Sequence, residues 1–128
     1  GEYQGKQIMS AQTVFRSTLA TSGVSLDRTL LVPMRYALGP MLGSNPIGLF
    51  GPMTGQAFGH LGFSNILCWA DPERDISVSL LTTGKSVVGT HLPALAKTLY
   101  QISKHCPKIL KHQRRSLFAT DRSETNLV

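Results

Sequence analysis

The sequence of 128 residues predicts an α+β fold, an antiparallel β-sheet with one helix near the N-terminus and one near the C-terminus packed on it. Three observations predict it. Two apolar runs, residues 66–70 and 76–83, flank Asp71-Pro72-Glu73-Arg74-Asp75. There Pro72 pre-sets φ and Asp71 can accept from its own downstream backbone, so residues 66–83 read as a β-hairpin. A short run around His60, flanked by Gly59 and Gly62, reads as the neighbouring strand. Finally, Leu92, Leu95, Leu99 and Ile102 recur at helical spacing.

The remaining elements follow in chain order. Residues 1–9 read as a loop or short extended piece. Ser10 is a plausible N-cap for a helix over residues 11–19, where Val14, Phe15 and Leu19 form a modest apolar stripe. Residues 21–33 are expected to be loop, because Gly23, Asp27 and Pro33 interrupt them, and residues 34–39 to be a strand. Residues 39–55 hold five glycines and three prolines and predict a long irregular loop. The spacing Gly48, Gly51, Gly55 is not a phosphate loop, since no Lys-Ser/Thr follows it. Pro93 suits the first turn of the C-terminal helix, expected over residues 91–104, and Pro107 stops it.

Composition narrows the function. No run approaches the roughly 18 apolar residues of a membrane helix, and residues 1–6 lack the apolar core of a signal peptide. The chain starts without Met, as if in mid-protein. The net charge of +6 is concentrated near the end, where Lys104, Lys108, Lys111, Arg114, Arg115 and Arg122 face only Asp121 and Glu124. A body over residues 1–106 and a basic, disordered tail over 107–128 are therefore expected. The tail reads as a solvated terminus, and nucleic-acid or anionic-membrane binding between Lys104 and Arg115 is not expected. Cys68, in an apolar strand, is expected to behave as a small buried hydrophobe, and Cys106 precedes a helix-stopping proline; no disulfide framework, cofactor or metal site is indicated. Trp69 is expected in sheet packing. Asp71, Glu73, Arg74 and Asp75 are expected to form a solvated turn with Arg74 pairing locally.

The motifs His60-Leu61-Gly62, Trp69-Ala70-Asp71-Pro72-Glu73-Arg74 and Leu81-Thr82-Thr83 stand in one order over a short stretch. Upstream, Gly1, Gly5, Ile8, Met9, Ser10, Thr13 and Val14 and the segment Tyr36-Ala37-Leu38-Gly39 add to the pattern. Together, over about residues 1–103, they resemble the C-terminal part of the serine β-lactamase-like hydrolases, the superfamily of penicillin-binding proteins, class C β-lactamases and related esterases. The resemblance implies that residues 1–106 are the C-terminal portion of a β-lactamase/transpeptidase-like domain. It also implies acyl-enzyme hydrolysis of a small ester, amide or β-lactam in the full protein. His60 and Gly62 would belong to the strand that lines the active site, with Phe63 or Ser64 lending a backbone N–H to the oxyanion hole. Without the resemblance, His60 reads as a partly buried strand histidine satisfied by a backbone carbonyl.

The family's nucleophile and base motifs, Ser-x-x-Lys and Tyr-x-Asn, do not occur in this sequence. The chain alone is expected to be inactive, with the upstream half of the same domain or a second copy as its partner. Leu61 stands where the family commonly has Ser, Thr or Gly, which favours an esterase or peptidase relative over penicillin-type recognition. The alternative is a non-catalytic interaction module, or inactive descendant, that binds a partner through its sheet face.

Overall fold

A computed structural model describes residues 1–62, 66–83 and 89–109. The architecture is α+β with antiparallel sheets and two helices. In order, β1 (Glu2–Tyr3) and β2 (Lys6–Gln7) form a small hairpin, followed by α1 (Ala11–Thr18), β3 (Ser25–Asp27), β4 (Val32–Tyr36) and β5 (Met41–Leu42). A second small hairpin, β6 (Ile47–Gly48) and β7 (Gly51–Pro52), leads to β8 (Phe58–Gly62), β9 (Ile66–Asp71), β10 (Ile76–Leu80) and α2 (Leu92–His105). Six strands make the main sheet, in the order β10-β9-β8-β5-β4-β3, every neighbouring pair antiparallel.

Register sorts the side chains into two faces, because successive residues of a strand point to opposite sides. Met41, Leu67 and Trp69 share one face with Met34, and there they meet Phe50 and Leu99 in the buried core. The Phe50 and Trp69 rings stack with centroids 5.5 Å apart. α2 covers this face. Leu99 is buried, while Leu95 and Ile102 pack against the cluster from the same helical stripe. The helix crosses β7 at Gly51, whose φ of 106° and closeness to Ser103 Oγ and the Leu99 carbonyl both require glycine. His91 is its N-cap residue, Pro93 sits in its first turn, and it ends before Pro107.

The opposite face carries Arg35, Leu42, Phe58, His60, Cys68 and Ser79. α1 borders this face. The Ser10 hydroxyl accepts from Thr13 N at 3.1 Å, so the N-cap is the expected one. No residue of α1 is buried, however, so the N-terminal helix is not packed on the sheet as expected.

Other expectations are corrected. Residues 21–33 are not all loop: β3 forms there, held by Leu26↔Pro33 and Ser25↔Met34. β4 accordingly begins at Val32, and Pro33 is tolerated because β5 does not reach it, starting only opposite Arg35. Residues 39–55 hold three short strands where no period could show them. Cys68 is exposed, because it alternates with the buried Leu67 and Trp69.

The turn at residues 71–75 is solvated only in part: Asp75 is exposed and Arg74 pairs locally as expected, but Asp71 and Arg74 are buried. Asp71 is 0% and Arg74 7% exposed, and they form an ion pair at 2.6 Å. Asp71 Oδ1 also accepts from Glu73 N, while Arg74 donates to the carbonyls of Met53 and Pro52. The turn is therefore riveted to the β7 region. Beyond α2, Lys108 pairs with Glu73 at 2.6 Å and Ile109 N donates to the Glu73 carbonyl. The segment 107–109 thus docks on the hairpin turn; the rest of the expected tail lies outside the described residues.

Candidate active-site strand

β8 is paired on both sides only for part of its length. β9 runs beside all of it, from Phe58↔Ala70 to Gly62↔Ile66, whereas β5 reaches only Phe58 and Gly59. Among the described residues, no strand pairs with His60-Leu61-Gly62 on the side away from β9. The short β5 is the cause: it begins at Met41, opposite Gly59, and the residue in register with His60 would be Pro40, which lies in the bend before the strand and has no N–H to donate. An open backbone edge results at the residues the motif singles out.

The two glycines that flank His60 differ in what they do. A Cβ on Gly59 would lie 2.1 Å from the Cys68 carbonyl oxygen and 2.5 Å from Trp69 Cα, so packing alone demands glycine there. A Cβ on Gly62 would meet nothing closer than the Ile66 carbonyl oxygen at 3.4 Å, an ordinary contact. The fold of the described residues therefore does not itself require a glycine at 62.

His60 is exposed, and its Nδ1 lies 2.9 Å from the carbonyl of Leu61. With Nδ1 donating to that carbonyl, the tautomer leaves Nε2 as an acceptor, without a partner among the described residues. Gly62 closes the same strand. Phe63 and Ser64, assigned to the oxyanion hole by the resemblance, lie outside the described residues. Two groups that motif reading passed over stand beside His60. Cys68 is its register partner on β9, and Ser79 is the partner of Cys68 on β10, with Cys68 Sγ 3.5 Å from Ser79 Oγ. The signal for this row was available, since placing Asp71 opposite Ile76 puts Cys68 opposite Ser79. Among the described residues, no three His, Cys, Asp or Glu side chains gather as a metal site.

The arrangement offers an extended ligand a strand edge, one imidazole and a smooth glycine. Among the described residues it holds no serine–lysine pair. Over 81 residues the chain is 35% identical to the esterase/beta-lactamase LipL of Mycobacterium tuberculosis, an alignment covering 63% of this chain and 18% of that protein. The relationship to a β-lactamase/esterase-type hydrolase is supported, and it is partial and distant. The match takes in less than a fifth of that relative's length. No family model matches the chain, and no solved structure does.

Proposed function

We propose that this chain is the C-terminal segment of a serine hydrolase of the β-lactamase-related superfamily, with the β-lactamase/transpeptidase-like fold. In the full protein a serine Oγ would bond to the carbonyl carbon of an ester, amide or β-lactam. The leaving group would depart with a proton, and water would then release the acid. The carrying observation is the unpaired half of β8, where His60, Leu61 and Gly62 present an open strand edge. It is supported by the 35% identity to an esterase/beta-lactamase. A substrate lying along that edge exchanges backbone hydrogen bonds with it, and the lack of a Cβ at Gly62 leaves room for the acyl group. His60 Nε2 faces solvent chemistry there as a hydrogen-bond partner, or as a cation when protonated. Phe63 or Ser64 would supply the oxyanion N–H. The nucleophile and its base come from outside this sequence, so the chain alone is inactive.

Intact mass before and after a serine-reactive fluorophosphonate tests the division of roles. An unmodified mass is expected; a stoichiometric adduct would mean that a serine of this chain is activated by some other base. In a full-length parent hydrolase, His60→Ala should lower kcat/KM at least about 100-fold with little change in the unfolding midpoint. Unchanged activity would remove His60 from the site.

One observation favours a second reading. Phe15, Leu19, Val24, Leu26 and Leu31 are all more than half exposed, an apolar surface that suits a partner-binding module. An absence of Ser-x-x-Lys in the parent reading frame would select it.

A further inference from the structure

A cleft of about 290 Å³ separates α1 from the sheet face opposite the core. Its lining is mixed: Phe15 of α1, Leu19 at the helix end, Leu42 and Phe58 of the sheet and Pro72 of the hairpin turn give apolar surface, Thr18 and Gln56 give polar surface, and Arg35 is the one cation. The register Arg35↔Leu42↔Phe58 places that guanidinium on the cleft side of three adjacent strands. Its Nη2 donates to the carbonyls of Gly43 at 2.6 Å and Gly55 at 2.9 Å, which fixes the plane of the group. Its Nε is buried with no hydrogen-bond partner, and Nη1 has none among the described residues. No carboxylate of the described residues lies within ion-pair distance of it; Asp71 pairs with Arg74 and Glu73 with Lys108.

A held guanidinium whose Nη1 is unpartnered and that has no counter-ion among the described residues favours an anionic acceptor. Both Nη2 hydrogens are taken by the two carbonyls, so Nη1 is the group left to meet a carboxylate oxygen. The apolar part of the lining accepts a hydrocarbon tail, and the volume is at the small end of ligand pockets, roughly 300 to 1,000 Å³. We propose that this cleft binds a medium-chain monocarboxylate, with its carboxylate on Arg35 and its tail between α1 and the sheet. The site needs only α1, β4, β5, β8, the loop around Gly55 and the hairpin turn, all within this chain, so it stands or falls apart from the hydrolase assignment.

Calorimetric titration of the 128-residue chain with octanoate tests it, alongside 1-octanol as the uncharged tail and inorganic phosphate as the tailless anion. Octanoate should bind at one saturable site, at least about tenfold tighter than either comparison ligand. Arg35→Gln should abolish binding, but it also removes the two bonds to loop carbonyls and can unfold the chain. Leu19→Glu avoids that problem: the residue is about half exposed, and the substitution sets a negative charge at the cleft wall. It should weaken octanoate at least about tenfold and leave octanol nearly unchanged. Equal affinity for octanol or phosphate, no saturable binding, or an unaffected Leu19→Glu would each overturn the proposal.

Discussion

The ion pair Asp71–Arg74 shows how much one pair of side chains can hold. It is buried, and Arg74 also caps two carbonyls of the β7 region, so the hairpin turn and the second small hairpin are joined through one guanidinium. Removing Arg74 alone leaves a buried carboxylate with no cation. Arg74→Met should therefore cost about 3 to 5 kcal/mol in urea unfolding, and a paired Asp71→Leu/Arg74→Met change should recover much of it. Equal losses in the single and double variants would show that the carbonyl bonds, and not the charge, matter most. A second contrast at this scale separates packing from function in the candidate strand. Gly59→Ala drives a Cβ into the β9 backbone and should destabilise by about 3 kcal/mol or more, whereas Gly62→Ala should unfold at nearly the parental denaturant concentration. The burial of Asp71 and Arg74 was not legible in the sequence. Two charges beside a proline look like solvent-facing turn residues, and only the carbonyls of Pro52 and Met53, distant in sequence, make them a rivet.

Elements with a strong local signal were legible. β9 and β10 formed as expected because turn chemistry sits between two β-rich runs, and α2 formed because its stripe has helical period and proline at each end. β5, β6 and β7 were not legible, since two residues cannot display a period and their partners lie far along the chain. β3 was masked by Asp27, which looks like a breaker and instead ends the strand by accepting from Thr29 N and Leu30 N. That aspartate also accepts from the Tyr36 hydroxyl of β4. The Tyr36 bond first, and the two backbone bonds next, hold the Asp27 carboxyl below its ordinary value of 3.8, while the same carboxylate raises Tyr36 above 10.0. The signs are opposite in the two groups. The lowered Asp27 contributes stability present above pH 3.8 and lost as pH falls through its folded value. The raised Tyr36 contributes stability intact below pH 10.0 and lost as pH rises toward its folded value. Ultraviolet titration should give Tyr36 a midpoint above 10.0 that Asp27→Asn brings back down. An unchanged midpoint would show that the β3–β4 pairing owes nothing to this bond.

At the scale of the molecule, the two sheet faces are treated unequally. α2 seals one, with Leu99 set among Phe50, Trp69 and Met34, whereas α1 leaves the other partly open and buries none of its own residues. The candidate strand lies on that open side, and its motif was legible in the sequence only as an ordered set. Its unpaired edge was not, because the edge depends on β5 starting no earlier than Met41, opposite Gly59. The sheet's far edge is β3, where Leu26 is 61% exposed, and the turn that follows exposes Leu31 at 67%. An exposed apolar edge strand is a template for further pairing. The isolated chain should therefore associate with increasing concentration in sedimentation velocity. Leu26→Lys places a charge on the edge, and Leu31→Asn removes apolar area at a φ of 56° that asparagine tolerates better than leucine. Together they should shift the distribution to monomer without lowering the unfolding midpoint. A chain that stays monomeric without these changes would mean that this surface is not adhesive. The apolar area at β3 would then be no evidence for a missing partner, and the case for an incomplete hydrolase domain would rest on the open half of β8 and the 35% identity to an esterase/beta-lactamase.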